Sequence, residues 1–389
     1  EHRANSNAIT MLTASLADPT GYGRVVRASD GHITEIVEQK DADAEQLAIR
    51  EVNSGVYAFD ADVLVDALGR LSSANAAGEQ YLTDVVGIAR RDGRRVGAVQ
   101  VPDAIETEGV NDRVQLAALA KELNARLVRR AQLAGVTVHD PATTWLHADV
   151  TIGPDTEIFP GTQLQAGTSI GSGSSIGPDT TLIACTVGDE ASVVRSHCQG
   201  ATIGAKASVG PFSYLRPGAV LEEGSKVGAF VELKNSTVGP GSKVPHLSYV
   251  GDTTIGTKTN IGAGTITANY DGDHKFPTVV GDHAFVGSNS TLVAPITVHD
   301  GAYVAAGSTV TTDVGPGDLA VARGRQHAVE GWTLRRRAGS PSAAAAQAAS
   351  STGDDAQPDN ASTTALLNET VPPNGGSGNS ATAQGDQPA

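Results

Sequence analysis

Four side chains able to do chemistry lie close together: Arg216, Lys234, His246 and Tyr249. Arg216 follows Leu215, Lys234 follows Leu233, and the two cations are 18 residues apart. Arginine and lysine hold a sugar phosphate by charge-assisted hydrogen bonds. A histidine, with an ordinary pKa of about 6.5, can take a proton near neutral pH. This set suits acyl transfer to an amine. The cations hold the acceptor's phosphate, His246 frees the amine lone pair, and a backbone N–H or a hydroxyl receives the oxyanion. Neither cysteine, Cys185 or Cys198, sits in this stretch, which favours direct transfer over an acyl-enzyme. Lys275 could add a third cation. A zinc site is the competing reading of His246. It would need more histidines at matching spacing, and the nearest, His274 and His283, fall in or just after an interruption of the pattern described next.

The 18-residue spacing gains meaning from its surroundings. From residue 152 aliphatic residues recur every six positions: Ile152, Ile158, Leu164, Ile170, Ile176 and Leu182. After a slip come Val187 and Val193, then a register through Ile203, Val209, Leu215, Leu221, Val227 and Leu233. Val238, Val244 and Val250 follow, then Ile255 and Ile261, and last Val280, Val286, Leu292, Val298, Val304 and Val310. A Thr, Ser or Ala usually sits four positions after the aliphatic residue. A sustained period of six is the hexapeptide pattern of a parallel β-helix. Each unit supplies one short strand and one corner, and three units close a coil. The aliphatic side chain fills a narrow triangular bore, and stacked coils satisfy one another's backbone hydrogen bonds. Eighteen residues are then one coil, so Arg216 stacks beneath Lys234 with both side chains outward. His246 and Tyr249 fall within the next coil. The pattern breaks between Ile261 and Val280, and the stretch 262–279 is expected to leave the coil as a loop, where function concentrates.

Residues 1–109 read as mixed α/β, with strand-like runs at Ala8–Leu12, Ile33–Val37 and Val52–Phe59 and helical spacing over 60–71. They are too short and irregular for a complete doubly wound domain. Over 110–134, Val114, Ala117, Ala120, Leu123, Leu127 and Ala131 predict an amphipathic linker helix stopped by Gly135. The β-helix domain is expected over 135–334. Residues 335–389, rich in Ala, Ser, Gly and Pro, are expected to be a disordered tail, because they bury too little apolar surface to fold. The chain opens at Glu1 and its one methionine is Met11, which reads as a fragment lacking its true N-terminus.

The 45 glycines and 4% aromatic content agree with a turn-rich repeat. A net charge of -15 argues against nucleic acid as a partner. No apolar run is long enough to span a bilayer. Two cysteines cannot build a disulfide framework, so the cytoplasm is the expected compartment.

With these residues in view, the chain resembles the bifunctional GlmU family of uridyltransferase–acetyltransferases. The resemblance runs from residue 1 to about 335. It rests on GYGRV at Gly21, EVNSGVY at Glu51, YLTDV at Tyr81, EGVNDR at Glu108, YLRPGA at Tyr214, FVELKNS at Phe230, HLSYVGD at His246, NIGAGTITANYDG at Asn260 and VGSNSTLVAP at Val286. It implies a mainly β fold: a left-handed parallel β-helix preceded by a linker helix and the C-terminal portion of an α/β nucleotidyltransferase domain. It implies acetyl transfer from acetyl-CoA to glucosamine-1-phosphate, with His246 as general base. Arg216, Lys234, Tyr249, Asn260 and Lys275 would bind the sugar phosphate. Ala263, Asn269, Tyr270, Ser288, Ala306 and Arg323 would line the acetyl-CoA site. The family's sites form between subunits of a homotrimer. In the front domain Gly23, Glu38, Asn53 and Asn111 would bind UDP-N-acetylglucosamine, and Asn111 would also hold Mg2+. The family's glycine-rich nucleotide loop and second magnesium ligand have no counterpart in residues 1–20, so the uridyltransferase half is expected to be inactive in this chain. A trimerising scaffold without catalysis is the alternative in another class. The stacked cations, His246 and the loop speak against it. The front-domain motifs speak against an acyltransferase for a different acceptor.

Overall fold

The computed structural model describes residues 1–110 and 112–351. The chain divides into two units, Glu1–Arg323 and Gly324–Ala389.

The first unit begins with a five-stranded sheet in the order Ile33–Val37, Arg24–Arg27, Glu51–Phe59, Ile9–Ser15, Val96–Gln100. Ile9–Ser15 runs antiparallel to Glu51–Phe59 and parallel to Val96–Gln100. Ile9, Met11, Val25 and Ile36 are buried, and Val85, Val86 and Ile88 of the helix Asp84–Arg91 belong to the same core. Periodicity did not mark Arg24–Arg27, Val96–Gln100 or that helix. Arg24–Arg27 and the helix are too short for a repeat to register, and Gly97, Ala98 and Gln100 dilute the strand character of Val96–Gln100.

The helix Arg113–Leu133 starts at Asp112, whose side chain accepts from the Gln115 N–H at 2.8 Å. Its buried face differs from the one the spacing predicted. Leu127, Val128 and Ala131 pack on the β-helix core, whereas Val114 and Leu123 are exposed. The helix therefore buries one end instead of one whole side. Its buried Asn124 donates to Thr144 O at 2.7 Å and accepts from Leu146 N at 2.9 Å, which ties the helix to the first coil.

The β-helix has three parallel faces of 11, 10 and 9 strands. The first face begins at Thr137–Val138, the second at Trp145–Leu146 and the third at Thr151–Ile152. Every aliphatic residue of the hexapeptide series from Ile158 onward is buried. The small residue at each corner is buried as well and does two jobs. It leaves room for the turn, and at many corners where it is Thr or Ser its hydroxyl satisfies a backbone carbonyl: Thr156 reaches Gly171 O at 2.8 Å and Ser174 reaches Gly188 O at 2.9 Å, whereas the hydroxyls of Ser225 and Thr278 find no partner. The slips in the repeat are five-residue units. At each, a residue in the left-handed region makes the shorter corner: Ala184, Arg195, Gly200, Asn235 and Asp252. Cys198 occupies a bore position between two slips. Burial pushes its thiol pKa up, so it acts as a small apolar side chain.

The interruption is shorter than expected. The coil continues through the strand Ile266–Ala268, which pairs with Tyr249–Gly251 and Thr291–Val293. Thr267 stands in the bore at 2% exposure. It is close to valine in shape, and the polarity that hid it from an aliphatic pattern is neutralised locally. Its Oγ1 accepts from Gly251 N at 2.8 Å and lies 3.2 Å from Gly251 O. The chain leaves the coil only after Ala268, in a turn where Tyr270 bridges antiparallel to Lys275.

In the second unit the helices Trp332–Arg336 and Pro341–Ser351 are formed, with the Arg337 guanidinium 5.3 Å from the Trp332 ring centroid. Pro341–Ser351 falls inside the stretch expected to be disordered. Its alanine run has the highest intrinsic helix propensity, which needs no buried face. Residues 352–389 of that stretch lie outside the described residues.

Candidate active site

The second face carries the cations. Leu215 pairs with Leu233 and Leu233 with Val250, so Arg216 and Lys234 stand on adjacent coils and face outward. Arg216 Nη1 donates to Glu232 Oε1 at 3.0 Å, and Glu232 is the register partner of Tyr249. Lys234 Nζ donates to both oxygens of Asp252, at 2.9 and 2.8 Å. These two side chains are 18% and 15% exposed, so the pair is largely withdrawn from water. The hydrogen bond to Asp252 is the main reason the Lys234 pKa is raised, and Lys275 and Tyr249 also act on this ammonium. Burial alone would raise the Asp252 pKa. The bonds from Lys234, Asn235 and Asn269 outweigh it and hold the carboxyl below the usual range. Gly251 lets the cluster close, because a Cβ there would meet the Tyr249 hydroxyl at 2.5 Å and the Asn269 amide at 2.7 Å.

His246 ends the strand Lys243–His246 of the first face, where it pairs with Ala229, and its side chain is exposed. The corner bonds fix what lies above it. Gly264 N donates to His246 O, Asn289 N to Ala263 O, and Gly307 N to Ser288 O. His246, Ala263, Ser288 and Ala306 therefore form one column up the corner between the first and second faces. Arg323 closes its far end with a 2.8 Å bond from Nη1 to Ala306 O. Small side chains above an exposed histidine leave a track along which an extended ligand can lie.

The expulsion turn is built by Asn269, Tyr270 and Asp271. Asn269 is buried, its amide binds Asp252 Oδ2 at 2.6 Å, and its carbonyl accepts from Phe276 N at 2.9 Å. Tyr270 Oη donates to Gly272 O. The turn presents Lys275 to solvent. Asn260 stands elsewhere, on the first face between Lys243 and Phe285 in register. Within one chain it is not brought to the second face where Arg216, Lys234 and Tyr249 stand.

In the front domain Gly23, Glu38 and Asn53 converge. Asn53 N donates to Gly23 O at 2.9 Å, and a Cβ on Gly23 would meet both carboxylate oxygens of Glu38 within 3.3 Å. Thr83 Oγ1 donates to Glu38 at 3.1 Å, and burial pushes the neighbouring Tyr57 hydroxyl pKa up. Asn111 lies outside the described residues. Among the described residues no group of three or more His, Cys, Asp or Glu could hold a metal ion.

Sequence reading missed Glu232, Asp252, Asn235, Tyr57 and Thr83. No periodic signal marked Asp252: the coil above Lys234 is 17 residues long, which sets Gly251 over Lys234 and leaves Asp252 one residue out of register.

The fold and this site define a hexapeptide transferase joined to a nucleotidyltransferase-like domain. The bacterial transferase hexapeptide family (six repeats) matches residues 277–312, and the nucleotidyl transferase family matches residues 1–119. The bifunctional protein GlmU of Mycobacterium bovis (strain BCG / Pasteur 1173P2) is 56% identical over 341 residues, covering 88% of this chain and 69% of that protein. The bifunctional protein GlmU of Kineococcus radiotolerans matches with the same identity and coverage. The chain belongs to the bifunctional GlmU protein family. Among solved structures, LpxA, a UDP-N-acetylglucosamine acyltransferase from Bacteroides fragilis 9343, is 16% identical over 59% of this chain and 91% of its own, with a TM-score of 0.31, too low to bear on function.

Proposed function

We propose that this chain transfers the acetyl group of acetyl-CoA to the amine of glucosamine-1-phosphate. The reading rests on a track ending in His246 at the corner between the first and second faces, and on Arg216, Lys234 and Tyr249 along the second face that follows it. Arg216 and Lys234, with Lys275 from the turn, hold the sugar phosphate. His246 takes the proton from the attacking amine as the C–N bond forms. It returns that proton to the departing sulfur as the C–S bond breaks. Ala263, Ser288 and Ala306 line the track for acetyl-CoA and Arg323 meets its far end, while Asn269 and Tyr270, at the opposite corner of the second face, serve the cofactor of a neighbouring copy.

Asn260 belongs to this site by motif but stands on the first face, away from the cations of its own chain. That supports a pocket completed by a second copy, in a homotrimer. The front domain carries the sugar side of a uridyl-transfer site in the same pathway to UDP-N-acetylglucosamine, formed by Gly23, Glu38 and Asn53. A net charge of -15 fits small-molecule substrates better than nucleic acid. Among the described residues no helix is long and apolar enough to cross a membrane, and the cytoplasm is the proposed compartment. The test is thiol release from acetyl-CoA with and without glucosamine-1-phosphate. Sugar-dependent CoA release supports the reading. A folded protein that releases none overturns it.

A further inference from the structure

The second-face site contains a carboxylate, Asp252, that closes the HLSYVGD motif and to which the sequence reading assigned no role. Asp252 makes the left-handed corner of a five-residue unit, at φ 49°, a conformation that aspartate tolerates better than most residues. Its side chain lies along the corner between Asn235 on one side and Asn269 on the other. The carboxylate receives Lys234 Nζ on both oxygens, Asn235 Nδ2 on Oδ1 at 2.8 Å and Asn269 Nδ2 on Oδ2 at 2.6 Å. Each oxygen accepts two hydrogen bonds, which fills the acceptor capacity of the group. So engaged, Asp252 is not available as a proton acceptor in the reaction. What it fixes is geometry. It holds the Lys234 ammonium at one point on the second face. Through Asn269, whose carbonyl binds Phe276 N, it also fixes where the chain leaves the coil. The turn that leaves there carries Lys275, the third cation of the site.

We infer that Asp252 is a positioning residue that sets the Lys234 ammonium and the base of the Lys275 turn in one hydrogen-bonded block, so that the two cations converge on the phosphate of the acceptor. The inference rests on the acceptor assigned above, a phosphorylated amino sugar. A carboxylate in a phosphate site is otherwise unfavourable, because it repels the ligand's charge. Its presence is explained if the order it imposes on two flexible lysines outweighs that repulsion.

Asp252→Asn keeps the shape but replaces one acceptor oxygen with a donor that faces Lys234, Asn235 or Asn269. We expect the KM for glucosamine-1-phosphate to rise about tenfold, the scale of one charged hydrogen bond, with kcat changed much less. A double-mutant cycle separates this from a general loss of structure. In a Lys234→Ala/Lys275→Ala background, Asp252→Asn should raise KM by less than about twofold, since both groups it positions are gone. Full additivity of the two effects, or an unchanged KM in Asp252→Asn, overturns the inference. If Asp252→Asn does not fold, Asn235→Ala serves instead. Asn235 is exposed and supplies one arm of the block. A KM rise of about threefold is expected there, and no rise overturns the inference. The wild-type arm reports on the acceptor itself. If the wild type turns over the sugar phosphate and the variants match it, only the positioning role fails. If the folded wild type shows no sugar-dependent release, the acceptor assignment fails and takes this inference with it.

Discussion

Arg216 and Glu232 stand on adjacent strands of the second face and are joined by a 3.0 Å hydrogen bond from Nη1 to Oε1. The guanidinium is therefore aimed before any ligand arrives, with other N–H groups left to bind a phosphate. Arg216→Ala should raise the KM for glucosamine-1-phosphate by roughly 10- to 100-fold, one or two charged hydrogen bonds. Glu232→Gln, which loosens the arginine without removing it, should raise KM by less. Steady-state kinetics with varied sugar phosphate gives both numbers. An Arg216→Ala enzyme with wild-type KM would move the phosphate away from this face.

His246 makes a contrasting prediction. Its ring sits at the end of the track, and its role lies in proton transfer. His246→Ala should lower kcat by about 10²- to 10⁴-fold and leave KM for the sugar phosphate within a few-fold. Loss of binding with intact kcat would assign it to the ligand-holding set instead.

Thr267 tests the corrected path of the coil. Thr267→Val keeps the volume but strips the acceptor from the buried Gly251 N–H. The expected cost is about 1–3 kcal/mol, the penalty of an unpaired buried donor. Chemical denaturation reads it directly. A neutral or stabilising result would mean that this N–H finds another acceptor.

The Lys234–Asp252 pair gives stability a pH signature at both ends of the scale. The folded-state pKa of Asp252 is depressed. Its stabilising effect is full above the unfolded value of about 3.9 and fades as pH falls through the folded value. The Lys234 pKa is raised. Its effect is full below the unfolded value of about 10.4 and fades as pH rises through the folded value. The Tm gap between wild type and Asp252→Asn should be widest near neutral pH and narrow below about pH 4. A gap that stays constant from pH 7 to pH 3 would show that the carboxylate's charge contributes nothing.

The β-helix was legible because its bore admits one kind of side chain at one spacing, and Leu215 and Leu233 declare that spacing openly. The stacking of Arg216 on Lys234 followed from the same count. Legibility ended where chemistry imitates shape. Thr267 fills a bore position as valine would, so the coil seemed to stop one unit early. Asp252 escaped because a corner residue follows no hydrophobic period, and only the hydrogen bonds from Lys234, Asn235 and Asn269 reveal its place. For the helix Arg113–Leu133 the spacing identified the element but not its buried part. Its neighbour is the end of a coil, which covers Leu127 and Val128 and leaves Val114 in water.

The corner column has one further consequence. Parallel strands are spaced about 4.8 Å apart, so the stack works as a ladder with fixed rungs. From His246 through Ala263 and Ser288 to Ala306 is three rungs, about 14 Å on that spacing. A ligand that reacts at His246 and reaches Arg323 must therefore lie stretched along the column. Its reach is selected in whole steps. Removing one coil would shorten the span by a full rung, and no side-chain movement in a filled bore could restore it.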